Sequence, residues 1–323
     1  MRKTFLILLL LLIYGSTVNA AVPYPVILIH GTGDSSVVWK TTGPAISEHL
    51  DDYYKTSAHP YFLAGSGIAN DRYDKDSSDN PRNSCVYLVF SDHFADPSDL
   101  ASEIKKVIRD TRDEVWTNHK DLFASKEDIK VTLICHSMGG LVARKYLVDN
   151  YNDHHVAELI LLGVPNKGSS ALYLDWVPRT LVVSGFGGAL LASNPIFLGI
   201  SLAGIGVDTV ARSQGIKLVS PASESMKPGS KFLTGLNSRK MPEDVAYTVL
   251  LFNAEDLPRV TLNRIFGHEK GDGGVTFDSQ SLKYAGVPNF NSLTYREIQL
   301  AGPHPDEPIV AKDAIIDLLG LRD

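Results

Sequence analysis

The stretch VTLICHSMGGLVARKYL, residues 131–147, sets Ser137 between a continuous apolar run and a half-polar, periodic one. An apolar run of this length reads as a buried strand and the periodic part as a helix, so the serine falls at the turn between them. In that position a hydroxyl stands at the carboxyl end of a strand, with the free N–H groups of a helix start just behind it. The chemistry such a place can do is acyl transfer. A hydroxyl becomes a nucleophile when a base removes its proton and an acid orients that base. The usual pattern for the turn is G-x-S-x-G. Here Cys135 stands at the first glycine position, while Gly139 and Gly140 follow the serine and permit a tight turn with close helix packing. Cysteine is small enough for the turn to form with a slight shift.

The elements around Ser137 must bring it a base and an acid. VILI at 26–29 reads as a strand running into the small-residue loop His30-Gly31-Thr32-Gly33, and a helical segment follows near 43–54. Residues 65–84 are polar and turn-rich and read as a surface loop. CVYLVF at 85–90 is a second apolar strand. Behind it, Leu100, Ile104, Val107, Ile108 and Val115 fall on one face of a helix, with Ser98 and Asp99 as its expected N-terminal cap. Strands follow at 131–135, 157–165, 246–252 and 293–300, with helices at 139–151 and 308–319. Apolar strands alternating with amphipathic helices predict a mostly parallel sheet covered on both faces, with its chemistry in the loops at the strands' carboxyl ends. In such a sheet Cys85, at the start of its strand, and Cys135, at the end of another, lie farther apart than the roughly 7 Å a disulfide spans. Both thiols are expected reduced and buried.

Five segments in order resemble the α/β-hydrolases of the lipase and esterase kind, especially the bacterial triacylglycerol lipases. VILIHGTG resembles their oxyanion strand and loop, and CHSMGGLVARKYL their nucleophile elbow. LLGVPNKGSSAL resembles the segment before their cap, GDGGVTFDSQS the loop of the acid, and GPHPDEPIV the loop of the histidine. The resemblance runs from Val26 to Val310. It implies Ser137 as nucleophile, Asp272 as orienting acid and His304 as base, in the Ser–Asp–His order of the superfamily. The backbone N–H groups of Thr32 and Met138 are then the oxyanion donors. His304 also sits where a base belongs, in a Gly-Pro-rich loop between the last strand and the closing helix. Asp256, which follows the 246–252 strand more directly, is the rival acid, and Asp278 a more distant one. His30 is expected to bond within its own loop, and His136 to line the cleft. Some such lipases hold the histidine loop with calcium through an aspartate two residues on, where this chain has Asp306. The reading here is a solvated loop aspartate and no metal.

The first residues carry Arg2 and Lys3, an apolar run from Phe5 to Ile13, and small residues at Val18 and Ala20. They read as a signal peptide, residues 1–20, cleaved near Ala20 to give a secreted or periplasmic or lumenal protein. The uncharged stretch 181–207 is long enough to span a bilayer, yet a crossing there would put Ser137 on one side of the membrane and Asp272 with His304 on the other. Asn194-Pro195 also interrupts it. Residues 170–242 are therefore expected to form an apolar cap or lid inserted into a core of 21–169 and 243–323. With a net charge of −6 and no basic block, the chain has no electrostatic footprint for nucleic acid. The sequence as a whole points to an exported serine ester hydrolase that needs no cofactor. Its expected substrates are lipid or long-chain acyl esters, with transient lipid-surface contact through the cap. A short-chain carboxylesterase or thioesterase on the same triad, or a non-catalytic relative binding an apolar ligand, are the alternatives.

Overall fold

The computed structural model describes residues 23–33, 36–54, 61–64, 85–169, 220–254 and 270–320. Seven strands form one sheet in the order β2-β3-β1-β4-β5-β6-β7. They are β1 (Val26–Ile29), β2 (Tyr61–Ala64), β3 (Cys85–Val89), β4 (Val131–His136), β5 (Val156–Leu162), β6 (Ala246–Asn253) and β7 (Thr294–Ala301). Every neighbouring pair runs parallel. The short edge strand β2 was not anticipated from the sequence.

Helices cover both faces of the sheet, and side chains alternate between two apolar clusters. Ile27, Ile29, Leu133, Cys135, Leu159 and Leu161 meet helices α2 (Pro97–His119) and α3 (Met138–Asp149) on one face. Val26, Leu28, Ile134, Ile160 and Leu162 meet α1 (Thr42–Tyr54) and the closing helix on the other. Strands buried on both faces must be apolar at every position, hence the unbroken apolar runs. All five residues expected on the inner face of α2 are buried.

Two helix ends differ from expectation. The cap of α2 is Asp96, two residues earlier than the expected Ser98, and its side chain accepts from Ser98 N at 2.8 Å. Pro97 can take the first helical position because an N–H there has no partner to lose. The closing helix is broken in two. Ala311, at ψ −8°, is too flat to continue the ladder and separates α7 (Glu307–Val310) from α8 (Lys312–Leu318), α6 being the short helix Phe277–Gln280 of the acid loop.

Of the stretch expected to form a cap, 170–219 lies outside the described residues, including all of 181–207. Its remainder carries the short helices α4 (Pro221–Ser225) and α5 (Lys231–Asn237), whose Ala222, Leu233 and Leu236 join the α2–α3 side of the core. Among the described residues no helix is long and apolar enough to cross a membrane.

Both cysteines are free and buried. Cys85 pairs with Val26 and Cys135 with Ile29, so they lie three residues apart along β1, about 10 Å at the rise of a strand. They also face opposite clusters.

Candidate active site

The strand order reverses between β1 and β4: the chain leaves β1 toward one edge of the sheet and leaves β4 toward the other. Parallel sheets open a crevice at the carboxyl ends of such a pair. The Gly31-Thr32 loop after β1 and Ser137 after β4 lie on its two sides.

Ser137 has φ 51° and ψ −127°, one of two non-glycine residues at positive φ among those described. Such a backbone costs on the order of 1–3 kcal/mol and persists only where its surroundings impose it. Here Ser137 N donates to Leu162 O at 2.9 Å, tying the turn to β5. The serine is partly exposed between buried neighbours. Cys135 fits in the turn because its side chain points into the α2–α3 core and away from the serine's crevice.

The glycines around the turn are fixed by close approach. A Cβ on Gly31 would lie 2.7 Å from Ser137 Cβ, and one on Gly139 would lie 2.5 Å from the His30 carbonyl oxygen. The second obstacle is backbone and cannot swing aside. Gly139→Ala is therefore expected to push α3 off the end of β1 and cost about 1–3 kcal/mol, read as a lowered urea midpoint at unchanged m.

The histidine and the acid reach the serine from the far side of the sheet. His304 follows β7 in a single 3-10 turn, His304–Asp306, and Asp272 lies in a loop following β6. His304 Nε2 is 2.9 Å from Ser137 Oγ, and His304 Nδ1 is 3.0 Å from Asp272 Oδ2. A carboxylate only accepts, so the proton sits on Nδ1 and the Nε2 lone pair faces the hydroxyl. The backbone bond from His304 N to Asp272 O, 3.0 Å, locks the two loops together.

Asp272 is fully buried and well supplied with donors. Its Oδ1 accepts from Gly274 N and Val275 N, both at 2.7 Å, and its Oδ2 accepts from Gln280 Nε2 at 3.0 Å. Burial alone would raise its pKa, but the His304 imidazole and these bonds outweigh it and hold the carboxyl below its ordinary value. His304 shows the converse balance: burial lowers its proton affinity, but the neighbouring carboxyls, Asp272 first and then Glu307, together outweigh that and hold the imidazole well above its ordinary value.

Two further histidines support the site, and His136, expected to line the cleft, is instead buried behind it. His30 is buried, with Nδ1 on Gly31 O at 2.7 Å and Nε2 accepting from Phe90 N at 3.2 Å. Burial lowers it to about 4, so it is a neutral prop of its own loop. His136 is buried too and lowered to about 3, by burial and then by His304. Its Nε2 donates to His304 O at 3.0 Å, steadying the histidine turn.

Thr32 Oγ1 donates to His93 O at 2.6 Å, which fixes the loop carrying the Thr32 N–H. Met138 opens α3, where an N–H has no acceptor within the helix. Asp278 and Asp306 are exposed, and Asp256 lies outside the described residues.

Two members of the site were missed in the sequence. Gln280 is buried within the acid loop, where the sequence alone gives no sign of its role. Its amide clamps Phe252 N at 2.7 Å, Phe252 O at 3.1 Å and Asp272 Oδ2, fastening the acid loop to β6. Glu307 is wholly buried, with Oε1 3.3 Å from His304 Nδ1 and Oε2 3.4 Å from His136 Nε2. The signal for it was position, one helical turn after the histidine. His136, His304 and Glu307 place nitrogen and oxygen donors within 4.8 Å of one another, the separation a metal ion needs. Both nitrogens, however, already direct their N–H bonds to protein oxygens.

The site thus holds a serine hydroxyl, an imidazole with its lone pair aimed at that hydroxyl, and a charged carboxylate behind the imidazole. Such a chain can draw the proton from the hydroxyl as the oxygen attacks a carbonyl carbon. Comparison with known proteins agrees with this architecture. Residues 23–177 match the PGAP1-like alpha/beta domain family. EstA from Clostridium botulinum is 17% identical, with a TM-score of 0.53 over 93% of this chain and 87% of that one. The mature lipase BlEst2 of Bacillus licheniformis is 18% identical, with a TM-score of 0.50 over 93% of each chain. No curated protein sequence matches significantly. The chain has the α/β-hydrolase fold, and its residues 23–177 are similar to the PGAP1-like alpha/beta domain.

Proposed function

We propose that the protein is an exported serine ester hydrolase acting on lipid or long-chain acyl esters. The observation that carries this reading is the hydrogen-bonded chain Ser137–His304–Asp272, with the serine held at positive φ on a strand-to-helix turn. Ser137 Oγ attacks the ester carbonyl as His304 Nε2 takes its proton. The N–H groups of Met138 and Thr32 hold the oxyanion, worth about 100- to 1000-fold each. The tetrahedral centre collapses, and the departing alcohol takes the proton from His304. Water then attacks the acyl-enzyme as His304 removes its proton, and collapse of that centre releases the carboxylic acid while His304 returns the proton to Ser137 Oγ. Asp272 keeps the imidazole in the Nδ1–H tautomer throughout.

The long-chain preference rests on the uncharged stretch 181–207, and export rests on the basic-then-apolar start with small residues before Ala21. Hydrolysis of p-nitrophenyl esters of increasing acyl length separates the readings. Activity rising with chain length supports the lipid ester substrate, and activity confined to short chains makes the protein a carboxylesterase. No turnover of any ester overturns the enzyme reading in favour of a binding protein. Sequencing the amino terminus of the exported protein tests cleavage near Ala20.

A further inference from the structure

Two carboxyl groups lie against one imidazole in this site, and they are treated very differently. Besides the His304 N–H, Asp272 receives three N–H donors, from Gly274, Val275 and Gln280. Glu307 is equally buried, and among the described residues no N–H or O–H group makes a regular hydrogen bond to either of its oxygens. The two nitrogens nearest to it, His304 Nδ1 and His136 Nε2, aim their protons at Asp272 Oδ2 and at the His304 carbonyl. The fold nonetheless makes room for the side chain, since a Cβ on Gly163, at the end of β5, would lie 2.0 Å from Glu307 Oε2. Two carboxyl groups set against one imidazole in a dry site do not both ionise. The one with the donors keeps the charge. The one with none is left to hold a proton.

We propose that Glu307 stands protonated behind the triad and donates a hydrogen bond to the Asp272 carboxylate, acting as a neutral positioning residue for the catalytic acid. The charged and titratable groups facing it are Asp272 from the acid loop, His304 from the turn before α7, and His136 from the end of β4. Burial, then the charge of Asp272, pushes the Glu307 carboxyl well above the usual carboxylate range, with His304 opposing only in part. The bond leaves Asp272 the only charge that the His304 Nδ1–H can turn to, and it fills the space under Gly163 without adding a second charge. The inference deepens the proposed hydrolase reading and rests on it for the role, but the protonation state can be tested without activity.

The test compares wild type, Glu307→Gln and Glu307→Leu in the full protein. Glutamine reproduces the neutral acid in shape and as a donor; leucine fills the space but cannot donate. The first readout is melting temperature against pH. An acid that keeps its proton when folded but ionises at about 4.3 when unfolded costs stability progressively as pH rises above that value. Glu307→Gln has no such cost, so its melting temperature should gain on wild type from about pH 4.5 upward, levelling off only above the folded pKa. A difference that stays flat with pH, or a wild type that gains on the glutamine variant, overturns the proposal. The second readout is the acid limb of kcat/KM. Leucine should lower kcat about tenfold and glutamine should rescue most of that loss, with the limb moving by less than about half a pH unit. An ionised Glu307 would instead make the glutamine variant's limb fall by about one unit or more. If no variant, wild type included, hydrolyses esters, the hydrolase reading fails while the melting comparison still decides the protonation of Glu307.

Discussion

Replacing Ser137 by alanine is expected to lower kcat/KM for a p-nitrophenyl ester by about a million-fold while leaving the fold intact. The hydroxyl oxygen is the atom that bonds the acyl carbon, and no other hydroxyl lies against His304 Nε2 in the described site. The methyl group of alanine keeps the Cβ that packs beside Gly31 and loses only the oxygen. The backbone bond from Ser137 N to Leu162 O is also kept, so the turn should survive. The melting temperature should move by no more than a few degrees, consistent with a change of about 1 kcal/mol or less. Residual hydrolysis of about a thousandfold over water should remain, because the oxyanion donors are backbone groups untouched by the change. Steady-state kinetics on purified wild type and variant, with circular dichroism to confirm the fold, measure both parts.

Replacing His304 by alanine should cost about as much, and the double variant Ser137→Ala/His304→Ala should be no slower than either single one. The reason is geometric. The hydroxyl is activated only through the 2.9 Å contact with Nε2, so removing either partner removes the whole effect. Losses that multiplied would mean that the two residues act separately. The imidazole also sets the pH dependence. Its carboxyl neighbours, Asp272 foremost, together hold His304 above its ordinary value against the pull of burial. It serves as a base only when neutral, so kcat/KM should fall about tenfold per unit as pH drops through that raised value. The stability contribution has the opposite sense. A raised imidazole pKa stabilises fully below the unfolded value of about 6.5, and that stabilisation is lost as pH rises through the folded pKa.

How far the sequence foretold this site depended on the range of the interactions involved. The strands Val26–Ile29 and Val131–His136 are legible because a strand buried on both faces must be apolar throughout. The elbow is legible although Cys135 breaks its motif, because Gly139 is dictated by the His30 carbonyl and the cysteine points elsewhere. Asp272 and His304 are separated by 32 positions; His304 had its place before the closing helix as a second signal, whereas Asp272 could be assigned only through the resemblance of its loop. Edge strand Tyr61–Ala64 is four residues long in a Pro- and Gly-flanked context, and too short to show a period. The cap at Asp96 was signalled by Pro97, whose preference for the first helical position outweighs the Ser98-Asp99 pair. Glu307 was not legible as a buried acid. In GPHPDEPIV it sits beside exposed Asp306, and only the packing of β5 against the histidine turn separates their environments.

The central claim is that Ser137 is the nucleophile, and its most direct test is the site of covalent capture. Wild-type protein is treated with a fluorophosphonate, digested, and the adduct located by peptide mass spectrometry. A single adduct on Ser137 is expected, forming more slowly below the raised pKa of His304 and absent in Ser137→Ala. An unlabelled wild type, or an adduct that persists in the alanine variant, would contradict the account.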